Sequence, residues 1–78
     1  MSRGRRGDDV RLSPADRRIL RYLSASGADY PALIAANTGL HVPLVEQRCH
    51  VLAAAGLLEP VSDEVIYRLT DDGRHRSI

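Results

Sequence analysis

The segment Asn37-Thr38-Gly39-Leu40 constrains this chain more than any other. It sits between two short apolar stretches, and its glycine falls where a chain leaving a helix needs positive φ. Before it, Ile34, Ala35 and Thr38 are the inward positions of a short helix that starts near Pro31, with Asp29 or Tyr30 at its cap. After it, Val45, Cys49 and Leu52 recur at i, i+4 and i+7, the spacing of one buried helix face. This third helix is expected over Val42 to Ala55. His41 is its weak N-cap, Pro43 lies in a first turn that loses no helical N–H bond, and Gly56 ends it.

The flanks complete the layout. Ser13, Pro14 and Asp16 predict an N-cap, a first-turn proline and the acid of a capping box. Ile19, Leu20 and Leu23 form the apolar face of the helix they open, and Ser26-Gly27 closes it. Ala28-Asp29-Tyr30 is long enough for a short strand that pairs with a later hairpin. Leu57–Val61 and Val65–Leu69 read as the hairpin strands, joined across Ser62-Asp63-Glu64, with Pro60 marking an exposed edge. Tyr67 and Leu69 share one face of the second strand, Ile66 and Arg68 the other. Thr70 caps a last short helix whose Asp71 and Asp72 suit its dipole. The fold class expected is α+β, mostly helical. It comprises a three-helix core, an antiparallel wing of two or three strands and a short C-terminal helix, over residues 12–78. Residues 1–11 lack periodicity and read as a flexible basic arm.

With 78 residues there is room for one domain, and an apolar content of 44% makes a core plausible without metal or disulfide. The single cysteine, Cys49, has no partner within the chain, and no apolar run reaches the length of a membrane span. A soluble cytoplasmic protein is expected. The net charge of +1 is small but unevenly spread. Residues 1–12 carry four arginines against two aspartates, and Arg17, Arg18 and Arg21 follow on the first helix. The hairpin carries Glu59, Asp63 and Glu64 against Arg68. Every cation other than histidine is an arginine, which suits bidentate contacts to phosphate and guanine.

Leu33-Ile34-Ala35-Ala36-Asn37-Thr38-Gly39-Leu40-His41-Val42 and Leu52-Ala53-Ala54-Ala55-Gly56-Leu57-Leu58-Glu59, in this order of elements, resemble the winged helix-turn-helix superfamily. The closing Tyr67-Arg68-Leu69-Thr70-Asp71-Asp72-Gly73-Arg74 looks like the wing end of small repressor-like regulators of haloarchaea and their viruses. The resemblance covers roughly residues 12–75. It implies a transcription regulator that binds double-stranded DNA, commonly as a homodimer on a palindromic site. By the same resemblance the third helix is the recognition helix, with His41, Pro43, Leu44, Gln47 and Arg48 meeting DNA, and the hairpin is the wing.

Each candidate has a plainer reading beside it. Gln47 and Arg48 are expected on the outer side of the third helix, where Gln suits adenine and Arg suits guanine or a phosphate. The alternative is an ordinary solvated face. Leu44 either packs on a thymine methyl or covers the core edge. Glu46 opposes phosphate unless it accepts from cytosine N4. His41 and His50 can touch phosphate, but with His75 they do not form a metal set, and Cys49 reads as core. Arg3, Arg5 and Arg6 either reach a minor groove or are solvated. Arg17, Arg18 and Arg21 either flank the groove or keep the first helix soluble. Arg68 is a phosphate candidate on the wing. Asp71 and Asp72 are helix-start acids, and no catalytic constellation, P-loop or dinucleotide fingerprint is present. The function expected is a sequence-specific DNA-binding repressor, without cofactor, metal, small-molecule ligand or enzymatic activity. The rival is a protein-interaction winged helix that does not bind DNA, which the acidic wing favours.

Overall fold

The computed structural model describes residues 11–61, 63 and 65–76. Helix α1 spans Pro14–Ser26, strand β1 Ala28–Asp29, helix α2 Pro31–Thr38 and helix α3 Val42–Ala54. Strands β2 (Leu58–Pro60) and β3 (Tyr67–Leu69) and helix α4 (Asp71–Arg76) follow. This is the mostly helical winged architecture expected.

Local chemistry sets most boundaries. Ser13 Oγ accepts from the Asp16 amide at 3.1 Å and Asp16 Oδ2 accepts from the Ser13 amide at 2.9 Å, a complete capping box for α1. Tyr30 and His41 cap α2 and α3 with extended backbone and without a side-chain capping bond. Gly39 takes the left-handed conformation, φ 77°, and its N–H donates to the Ala35 carbonyl. Thr70 Oγ1 accepts from the Gly73 amide at 3.0 Å, the cap expected for α4. It also donates to the Gly56 carbonyl at 2.6 Å, tying the start of α4 to the end of α3.

The sheet runs β1-β3-β2, antiparallel throughout, with Ala28 opposite Arg68 and Glu59 opposite Arg68 on the other side. The strand expected at residues 28–30 therefore does pair with the hairpin. The hairpin strands are shorter than the two five-residue runs expected. Pro60 brings no N–H to the ladder, and among the described residues pairing beyond it survives only as the Val61 N–H donating to the Ile66 carbonyl, 2.9 Å.

One core joins all of these. Ile19, Leu20 and Leu23 meet Ile34 and Ala35 from α2 and Val45, Cys49 and Leu52 from α3. Leu57, Leu58, Tyr67 and Leu69 close it from the wing. Each fully buried Leu or Ile contributes about 1.5–3 kcal/mol by leaving water. Gly73 lets α4 lie directly on the wing, since a Cβ there would stand 1.9 Å from the Leu57 carbonyl oxygen.

Candidate nucleic-acid interface

Helix α3 divides cleanly into a buried and an open side. Val45, Cys49 and Leu52 are fully buried, whereas His41, Pro43, Leu44, Glu46, Gln47 and His50 are exposed. At 100° per residue, Pro43, Gln47, His50 and Ala54 fall on one line opposite the buried face. The spacing of Val45, Cys49 and Leu52 also fixed where Gln47 points, which is why its exposure was legible.

Between this line and the wing runs a cleft of about 440 Å³. Pro31 and Pro43 form one end, Glu46, Gln47 and His50 its helical wall, and Val65 and Tyr67 its wing wall. The His50 and Tyr67 rings meet edge to face, with centroids 6.4 Å apart. Burial raises the Tyr67 phenol above its ordinary value, as does the nearby Cys49.

Arg48 does not stand on the open side as expected. Its Nε donates to Asp16 Oδ1 at 2.7 Å and its Nη2 to Asp16 Oδ2 at 2.8 Å. The Asp16 side chain is fully buried and that of Arg48 only 24% exposed. The physical reason is that a carboxylate buried at the start of α1 needs a cation, and position 48 faces it across the α1–α3 contact. Burial alone would push the Asp16 carboxyl up. The hydrogen bonds from Arg48 and Ser13 outweigh this and hold it below its ordinary value. The same pairing raises the Arg48 guanidinium further. Arg48 thus serves as an internal clamp between two helices.

The chain matches the winged helix-turn-helix phage repressor family over residues 6–77. The chain belongs to that family. No curated protein gives a significant sequence match. Membership of the phage repressor family points to a DNA-binding regulator rather than an enzyme.

The remaining candidates spread over the surface of this phage repressor domain. Arg68 is exposed on β3, but its Nε donates to Glu59 Oε2 at 2.7 Å, so its charge is answered across the strand pair. Arg17, Arg18 and Arg21 are exposed along the outer side of α1, and Arg18 Nη1 reaches the Thr38 carbonyl at 3.4 Å. Arg3, Arg5 and Arg6 lie outside the described residues. Among the described residues, no group of three or more His, Cys, Asp or Glu is arranged to hold a metal ion, and no helix is long and apolar enough to cross a membrane.

Sequence reasoning missed one network. Tyr22 Oη donates to Asp29 Oδ2, and Asn37 Nδ2 donates to Tyr22 Oη at 3.3 Å and to the Leu33 carbonyl at 2.8 Å. The Asp29 carboxylate raises the Tyr22 phenol above its ordinary value. These contacts lace α1, β1 and α2 together behind the turn. No short-range spacing announces them.

Proposed function

We propose that this chain is a sequence-specific double-stranded-DNA-binding repressor that lays α3 in a major groove and silences a promoter by occupying it. The observation that carries this reading is the exposed line of Pro43, Gln47 and His50 on a phage repressor fold, open beside the wing. The caps support it. Neither Tyr30 nor His41 spends a side chain on capping; Pro31 and Pro43 bring no N–H and Leu33 donates to the Tyr30 carbonyl, which leaves the first-turn N–H groups of Ala32, Val42 and Leu44 for phosphate oxygens. The exposed His41 imidazole stands at the start of α3, Arg17 and Arg18 offer further exposed cations on α1, and Arg3, Arg5 and Arg6 would extend the contact along the duplex. Two copies on a palindromic site would set their α3 helices about 34–36 Å apart. The setting proposed is the cytoplasm, where DNA and a reduced Cys49 coexist.

One observation favours the rival reading, a protein-interaction winged helix. Arg48 and Arg68, the two cations expected nearest the groove, are both answered by carboxylates of the chain itself. Titration of the full chain with random duplex DNA at low and high salt separates the two. The repressor reading expects binding that weakens with salt in proportion to the phosphates contacted. Failure to bind any duplex at low salt overturns it in favour of the rival.

A further inference from the structure

The first two turns of α3 offer a groove an unusual set of groups. Val42 is 38% exposed and Leu44 36% exposed, and Pro43 and Gln47 are exposed beside them. The arginine of this helix is held by Asp16 through two of its three nitrogens. Beside His41, Glu46 and His50, the exposed face therefore presents apolar surface and one neutral amide, and no free arginine or lysine of the kind that commonly reads guanine. In a major groove, guanine shows two acceptors. An A·T pair shows the adenine N6 donor with the N7 acceptor, and the C5 methyl of thymine. A glutamine amide matches the first pair of groups, and leucine and proline match the methyl.

From this geometry, and resting on the DNA-binding reading above, we infer that α3 selects A·T base pairs chiefly through the thymine methyl groups. Leu44 and Pro43 pack on C5 methyls, and Gln47 pairs with N6 and N7 of an adjoining adenine. Leu44 and Gln47 stand at i and i+3, neighbours on the helix surface at about 5–6 Å between Cβ atoms, so they address neighbouring base pairs. Glu46 projects toward the wing side, where it lines the cleft with His50 and Val65. Its carboxylate repels phosphate, and its usual base partner is the cytosine N4 donor.

The test is selection of bound duplexes from a random pool by the full chain. The recovered sequence is then synthesised with thymine or with uracil, which lacks only the methyl. Adjacent A·T pairs are expected in each half-site. Uracil at those positions should weaken binding about fourfold per methyl, the factor that burial of one such group yields. Uracil elsewhere should leave affinity unchanged. Leu44→Ala should bind the thymine and uracil duplexes more nearly equally while melting like the parent, because Leu44 is not a core residue. A G·C consensus, which would assign the reading to Glu46, overturns the inference, as does equal affinity of the parent chain for the two duplexes. A pool that yields no enriched sequence sinks the DNA-binding reading itself, a separate and recognisable result.

Discussion

Asp16 Oδ2 accepts from both the Ser13 amide, at 2.9 Å, and Arg48 Nη2, at 2.8 Å. One buried oxygen thus closes the cap of α1 and anchors the middle of α3, 32 residues further along the chain. Helix starts are usually local affairs. Here the same acid that starts one helix fixes the position of another, so the two cannot be altered independently.

Arg48→Ala should therefore destabilise the fold by about 3 kcal/mol, at the low end for breaking a buried ion pair, because Ser13 still holds part of the orphaned carboxylate. Arg48→Lys should fall between the two, having lost the planar fork. Urea denaturation measures both. An Arg48→Ala protein as stable as the parent, but with weakened DNA binding, would return Arg48 to the groove.

Acid should act through the same pair. Asp16 is held below its ordinary carboxylate value, so the folded state binds its proton less readily than the unfolded chain. The stability this gives is complete above the unfolded value, about pH 4, and drains away as pH falls through the lower folded value. Asp16→Asn should lower the neutral-pH midpoint and flatten the decline below about pH 4. Denaturation midpoints between pH 2 and 7 check this. A decline of unchanged steepness in the variant argues against Asp16 as its source.

Two glycines should respond differently to alanine. At Gly73 the added Cβ would collide with the Leu57 backbone, which must shift to admit it, so Gly73→Ala should cost about 3 kcal/mol. At Gly39 nothing lies within 4 Å of the new atom, and the penalty is the left-handed conformation alone, about 1–2 kcal/mol. Thermal melts of the two variants should rank them in that order.

Cys49 is fully buried, and burial pushes its thiol up to about 12, with the Asp16 charge adding to the effect. At pH 8 almost none of it is thiolate, and it should resist a thiol reagent in the native protein while reacting promptly in denaturant. Rapid labelling of the folded chain would contradict the packing around α3.

The sequence disclosed whatever depended on near neighbours. Ser13 with Asp16, Gly39, Gly56 and Thr70 announced helix ends because caps act over three or four residues. The i, i+4, i+7 spacing located the core side of α3 and so exposed Gln47. Arg48 was misplaced for an instructive reason. Asp16 already had a complete local explanation as a capping acid, and nothing in the spacing reveals that α1 and α3 bring positions 16 and 48 together. Arg68 was nearer to being legible. Once the hairpin is registered so that Glu59 faces Arg68, the pair follows, but that register depends on where pairing fades beyond Pro60. The Tyr22–Asp29–Asn37 network needed three elements to be in place before it could be seen.

The three-stranded sheet has a consequence for crowding. One margin, β1, is only two residues long, and the other, β2, ends on a residue without an amide hydrogen. Neither margin offers an incoming strand a run of free donors and acceptors on which to zip. Where many copies of the chain gather, the wings are protected against stitching edge to edge into insoluble ribbons.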